Sequence, residues 1–174
     1  MRDPRNFIFR ITLRHAFFNE GEPKFMRIST KGRYGLRILL DLALHPQTDR
    51  PRLLRDIAES QGISEKYLSR LIIDLREADL VRSVRGAHGG YRLARDPSQI
   101  MLLDIIEVME GPIGIVECVG NPEQCGRREN CAVCEIWQSV NSSMRDTLAQ
   151  VSLQNIIERQ KELDLNGQCW NYCI

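Results

Sequence analysis

No run of apolar residues in this chain approaches the roughly eighteen that a membrane-crossing helix requires. Histidine is scarce, at three copies, and no Ser/His/Asp set, phosphate loop or carboxylate pair can be attached to a convincing pocket, which argues against an enzyme. The run Phe7-Ile8-Phe9-Arg10-Ile11-Thr12 is too short and too charged for a signal-peptide core, so a cytoplasmic location is the expectation. In that reducing compartment clustered cysteines more often ligate metal than form disulfides. What is present in quantity is charge, and it is unevenly placed. The formal net charge of +1 conceals +2 over residues 1–25, +5 over 26–100 and −6 over 101–174. A basic segment joined to an acidic, cysteine-bearing one fits a nucleic-acid reader with a regulatory or assembly half.

Residues 1–25 have scattered charges and no sustained apolar period; they read as a loosely ordered arm, and Met26 is an alternative start. Tyr34, Ile38, Leu39 and Leu42 recur at helical spacing, which predicts a first helix from Thr30 to about Leu44. Ser29 or Thr30 is available to cap it, and Pro46 to stop it. Leu53, Leu54, Ile57 and Ala58 predict a short second helix ending at Gln61-Gly62. Ser64 then caps a third, whose Leu68, Leu71, Ile72, Leu75 and Ala78 form a buried stripe. Two helices across a glycine turn suit a helix-turn-helix or an ordinary helical hairpin. The chain that follows favours the former. Leu80 to Arg85 and Tyr91 to Ala94 read as strands around the turn Gly86-Ala87-His88-Gly89-Gly90, a basic hairpin placed as a wing, with Arg82, Arg85 and Arg92 beside it. Its glycines allow close backbone approach to a phosphate chain.

A short helix from about Met101 to Met109, with Leu102, Ile105, Ile106 and Met109 as its apolar residues, ends at Glu110-Gly111-Pro112. Cys118, Cys125, Cys131 and Cys134 follow within seventeen residues, at gaps of six, five and two broken by Gly and Pro. Such a loop can fold four thiolates around one metal centre. Four thiolates suit zinc as well as an iron-sulfur centre. Zinc sites usually present two close pairs, whereas here only Cys131 and Cys134 are close. Ile136, Val140, Met144, Leu148 and Val151 predict a long helix from near Cys134, breaking near Ser152 before a last turn with Leu153, Ile156 and Ile157. Its stripe is expected to be covered by a second subunit, and Trp137 to pack as core beneath the loop. His15 and His45 read as surface. Residues 164–174 form a tail, whose Cys169 and Cys173 read as exposed thiols on a disordered end rather than as a second redox site.

The segments Met26-Arg-Ile-Ser-Thr-Lys-Gly-Arg-Tyr-Gly35, Gly62-Ile-Ser-Glu-Lys-Tyr-Leu68 and Val84-Arg-Gly-Ala-His-Gly-Gly-Tyr-Arg-Leu-Ala94 resemble the Rrf family of winged-helix transcription regulators. The resemblance is closest to its IscR type, with the NsrR and CymR types as relatives, and spans about Met26 to Leu163. It implies a mainly α fold, with a winged helix-turn-helix DNA-binding domain over 26–100 and a cluster loop and long dimerisation helix over 101–163. It also implies an iron-sulfur cluster, 2Fe-2S favoured over 4Fe-4S and zinc less so, and a homodimeric repressor on a palindromic DNA operator. Two departures stand out. Where IscR-type members place a fourth-ligand His, this chain has Cys134, and all-thiolate ligation is expected to lower the reduction potential. Where they carry a Glu on the recognition helix, it has Ser69, so weaker dependence of DNA binding on the cluster is expected.

Helix-turn-helix proteins insert the N-terminal part of the second helix into the major groove, which nominates Ser64, Lys66, Tyr67, Ser69 and Arg70. Arg70 is the best base reader, since a guanidinium bonds guanine bidentately; a phosphate contact is the alternative. Arg85 matches the family's minor-groove residue, with Gly86 and Gly89 beside it, and His88 is either a backbone contact or a solvated turn residue. Arg27, Lys31, Arg33 and Tyr34 would set the first helix's N-terminus against a phosphate or form a solvated face. Other readings stay open: nitric-oxide sensing, cysteine-metabolism control with an enzyme partner, an iron-sulfur redox protein, or a zinc-stabilised module.

Overall fold

Ser29 starts the first helix by accepting the Lys31 N–H at 3.0 Å, and α1 (Thr30–Leu44) turns Ile38, Leu39 and Leu42 inward. The computed structural model describes residues 28–45, 50–86, 89–120 and 130–165. Helix α2 (Leu54–Gln61) begins one residue later than its apolar pattern suggests. Leu53 is its extended N-cap and stays 39% exposed. Helix α3 (Glu65–Glu77) is capped by Ser64, whose hydroxyl accepts the Tyr67 N–H at 3.2 Å, and it buries Leu68, Leu71, Ile72 and Leu75.

Both helices of this pair end in the same way. After α2 the Ile63 N–H donates to Ala58 O (3.0 Å) and the Gly62 N–H to Glu59 O (3.1 Å) around left-handed Gly62, φ +64°. After α3 the Leu80 N–H donates to Leu75 O (2.9 Å) and the Asp79 N–H to Arg76 O (3.1 Å) around Asp79, φ +54°. Glycine accepts that backbone freely; Asp carries a Cβ there. Arg95 completes the second end, its guanidinium donating to Asp79 O (3.0 Å) and Ala78 O (3.2 Å).

Strands β1 (Val81–Val84) and β2 (Gly90–Leu93) form the antiparallel wing, pairing Val81 with Leu93, Arg82 with Arg92, Ser83 with Tyr91 and Val84 with Gly90. A third extended stretch joins them. The Arg52 N–H donates to Tyr91 O (3.0 Å) and the Tyr91 N–H to Arg52 O (2.8 Å), and a Cβ on Gly90 would collide with the Arg52 carbonyl. Asp96 then caps a 3-10 turn (Pro97–Gln99); bonds from Ser98, the hydroxyl first and then the N–H, hold its carboxyl below the usual range.

Helix α4 (Leu102–Glu110) buries Ile105, Ile106 and Met109, α5 (Glu117–Gly120) is a single turn, and α6 (Ala132–Ala149) and α7 (Leu153–Leu165) complete the described chain. The principal core joins Ile38, Leu39, Ile57, Leu68, Leu71, Leu75 and Leu80 to Ile105, Met109, Leu153 and Ile157. The expected break at Ser152 is present, but a 13-residue helix follows it rather than a last turn. Ser152 and Asn155 cap each other reciprocally: the Ser152 N–H donates to Asn155 Oδ1 (2.9 Å) and the Asn155 N–H to Ser152 Oγ (3.2 Å). Leu153 and Ile157 then have a core to enter.

The packing of α6 departs from expectation at Trp137. Its buried residues are Cys134 and Asn141, while Ile136 (62%) and Val140 (47%) are exposed and Trp137, expected as core, is 40% exposed on the same side. Cys134 and Asn141 mark the side facing α4 and α5, with Trp137 at its border, three residues after the one and four before the other. Arg145 of that side pairs with Glu107 of α4.

The two left-handed positions give opposite predictions. Gly62→Ala should cost about 1 kcal/mol and Asp79→Gly should gain up to about 1 kcal/mol, read from urea unfolding midpoints at constant slope. Changes of the same sign would refute the backbone account.

Candidate nucleic-acid interface and thiol segment

The buried stripe of α3 orients its opposite side outward. Ser64, Lys66 and Arg70 are exposed and Ser69 is half-buried, with the Ser69 hydroxyl donating to Lys66 O at 2.9 Å. Tyr67 lies differently. Its ring meets Tyr34 of α1 edge-on, centroids 6.1 Å apart at 85°, and the Arg37 guanidinium stands 5.0 Å over the Tyr34 ring. Both tyrosines are partly buried against the core, so they set the α1–α3 angle as well as bordering the outward face. Lys31 pairs with Asp74 of α3 at 2.8 Å, a half-exposed pair that a phosphate can compete with. Arg33 is exposed, its guanidinium donating to Thr30 Oγ1 at 3.3 Å.

On the wing, alternation from buried Val81 places Arg82, Val84, Gly90 and Arg92 on the outer side. Arg82 and Arg92 are direct cross-strand partners. Two guanidinium groups set directly opposite one another concentrate positive charge on this side of the wing. Arg85 is exposed, Gly86 has φ +124°, and Gly89 donates to Gly86 O at 2.9 Å, where a Cβ on Gly89 would meet Val84 O. Arg27 and His88 lie outside the described residues.

The N-terminus of α1, expected either to face a phosphate or to be solvated, already holds a carboxylate. One carboxylate oxygen of Glu110, at the end of α4, accepts the Ser29 N–H (2.9 Å), the Ser29 hydroxyl (2.7 Å) and the Gly32 N–H (3.0 Å). It sits where the helix dipole favours negative charge. Gly32 and Gly35 make the approach possible, since a Cβ on either would strike Glu110 or Met109. A phosphate reaching this end would meet the Lys31 and Arg33 side chains rather than those N–H groups. No local sequence signal announces Glu110, because its partners are about eighty positions away.

Three of the four loop cysteines are described. Cys118 on α5 and Cys131 at the N-cap of α6 are half-buried, and Cys134 is 2% exposed; none of the three is in a disulfide. Gln138 Nε2 donates to Cys134 Sγ at 3.5 Å. Asn141 anchors the segment, its Oδ1 accepting the Ile115 N–H at 3.3 Å. Gly114 and Gly120 meet backbone to backbone, where a Cβ on Gly114 would clash. Cys125 lies outside the described residues, and among those described no three His, Cys, Asp or Glu side chains are arranged to hold a metal. The donor chemistry of reduced thiols on two packed helices suits a soft metal or an iron-sulfur centre.

Comparison with known proteins decides the family. The family model described as Rrf2, iron-dependent transcriptional regulator, matches residues 28–159. The chain belongs to the Rrf2 family. It is 37% identical over 143 residues to the HTH-type transcriptional regulator IscR of Photorhabdus laumondii, covering 82% of this chain and 86% of that one. Among solved structures, T. potens IscR shares 39% identity at a TM-score of 0.64, over 79% and 90% of the two chains. CymR of B. subtilis, described as its global cysteine regulator, shares 38% at 0.62, over 78% and 98%. The chain is thus a DNA-binding transcriptional regulator of the IscR/CymR type, and its relatives are regulators rather than enzymes. No helix among the described residues is long and apolar enough to cross a membrane.

Removing the Glu110 carboxylate should unfasten α1. Glu110→Ala is expected to cost about 1–2 kcal/mol and to raise amide exchange at Ser29 and Gly32 while leaving Ile38 and Leu39 protected; unchanged exchange at all four would contradict the capping role.

Proposed function

We propose that the chain is a cytoplasmic, homodimeric repressor that reads a palindromic operator and reports iron-sulfur cluster status through Cys118, Cys125, Cys131 and Cys134. The observation that carries the DNA part is the outward face of α3, with exposed Lys66 and Arg70, followed directly by a wing that sets Arg82 against Arg92. Residues 26–100 bind DNA in this reading. Ser64, Lys66, Ser69 and Arg70 face the major groove, Tyr67 and Tyr34 hold α3 at its angle beside Lys31 and Arg33, and Arg85, Gly86, His88 and Gly89 carry the wing to the minor groove.

Residues 101–163 sense and assemble. The exposed ridge Val133, Ile136, Trp137 and Val140 on α6 supports pairing with a second copy. A 2Fe-2S cluster, favoured over 4Fe-4S, would supply an iron- and redox-dependent link between α5 and α6, and a zinc ion is the lesser alternative. The chain's own residues would pass its presence on. Asn141 holds the loop through Ile115, Arg145 ties α6 to Glu107, and Glu110 of the same α4 fastens α1. Likeness to B. subtilis CymR, described as a global cysteine regulator, supports a second reading in which cysteine supply, through an enzyme partner, is the signal.

DNA binding is tested by selecting a duplex from a random pool and measuring affinity against salt. Arg70→Ala should lose about 1–3 kcal/mol at one base position or, if it holds phosphate, weaken all sequences alike. Arg82→Ala should flatten the salt slope by about one unit. No affinity for any duplex at low salt would sink the regulator and leave the redox-protein alternative.

The cofactor is tested by anaerobic purification and visible absorption. Charge-transfer bands that fade on Cys134→Ser substitution are expected; a colourless, zinc-loaded protein would overturn the cluster.

A further inference from the structure

Two sets of residues at the same helical spacing divide α3 between core and solvent. Leu68, Leu71, Ile72 and Leu75 are buried; Lys66, Ser69, Arg70 and Ile73 share the opposite side. Three of those four are polar or charged, and Ile73 is not. It is 49% exposed, has no place in the core cluster or among the side chains packed on it, and is a poorer helix former than the Lys, Arg or Gln that would serve a solvated position. Folding of α3 gains little from it. Its direction is nevertheless fixed on both sides: Ile72 before it is 1% exposed, and Asp74 after it is held to Lys31 of α1 at 2.8 Å. The helix therefore cannot roll to bury it.

The setting of this apolar group names its partner. Exposed Lys66 and Arg70 lie on the same face, and exposed Arg82 and Arg85 follow on the wing, so the surface is built for a polyanion rather than for an apolar protein patch. Within the major groove the one apolar group on the base edges is the C5 methyl of thymine. A β-branched side chain on a helix is nearly confined to one χ1 rotamer, so little side-chain freedom is lost on contact. Resting on the reading that α3 enters the major groove, we propose that Ile73 is a specificity-determining residue that packs on a thymine methyl in each half-site, one helical turn beyond the bases reached from Ser69 and Arg70.

Uracil in place of thymine removes the methyl and leaves every hydrogen-bonding group. On the selected operator, anisotropy titrations with each thymine of one half-site replaced in turn should show one position that loses about fourfold in affinity, the value of one buried methyl. Ile73→Ala should bind the all-thymine duplex more weakly by a similar factor and be indifferent to uracil at that position. Ile73→Val, which keeps the branch, should retain most of the methyl effect. Both variants should match the wild type in melting temperature and in size-exclusion profile. Tight DNA binding with no uracil-sensitive position overturns the thymine contact, as does a methyl effect that survives in Ile73→Ala. A changed oligomeric state in Ile73→Ala would place the residue in a protein interface instead. Absence of duplex binding by the wild type sinks the underlying DNA reading, a result distinct from all of these.

Discussion

The carboxylate of Asp41, its side chain 9% exposed, fixes how the DNA-reading parts sit together. A charge so placed is costly unless partners surround it, and here they come from two other segments: Arg52 Nε at 3.0 Å, the Ser60 hydroxyl and Gln61 Nε2 at 3.0 Å. Gln61 extends the chain by accepting Arg37 Nε at 2.9 Å. The end of α2 is thereby held to α1, immediately before the Gly62 turn that aims α3. Arg52 does the same for the wing, because its backbone pairs with Tyr91 on the strand where Gly90 leaves room for it. Satisfying one buried charge orients the turn, the recognition helix and the hairpin together.

Legibility in the sequence followed the range of the interactions. Local signals were strong: the Ser29 and Ser64 caps, the glycine after α2, the α3 stripe and the hairpin glycines each act within a few residues, and the elements stand where those signals put them. Asp41 left a weaker trace, a charged residue set among Ile38, Leu39 and Leu42, which marks a buried polar group without naming its partners. Glu110 left none. The misplacement of Trp137 on α6 has a different cause. Trp137 stands three positions after buried Cys134 and four before buried Asn141, so spacing alone placed it inward, whereas Cys134, Asn141 and Arg145 make the α6 contacts with the neighbouring elements. Trp137 borders the exposed Ile136 and Val140 instead of filling a core, while Met144, Leu148 and Val151 of the stripe are half-buried.

Helix α4 is the common member of both halves. Its Ile105 and Met109 belong to the core shared with α1 and α3, its Glu107 pairs with α6, and its last residue fastens the start of α1. Gly111, at φ +88°, turns the chain directly from that fastening into the thiol-bearing segment. Displacement of that segment is mechanically close to the base of α1, because the turn at Gly111 directly follows the capping residue Glu110.

The outward ridge of α6 also governs the chain before anything covers it. Val133, Ile136, Trp137 and Val140 form a row of apolar surface as soon as the helix forms, and such a row invites indiscriminate association during synthesis. Apart from Ala132, the exposed residues along its flank are Glu135, Ser139, Ser142, Ser143 and Asp146, polar or acidic, the composition that slows non-specific stacking while leaving a narrow seam for a matched surface. Concentration then becomes a structural variable, since encounters through an uncovered apolar strip grow more frequent as the number of chains rises.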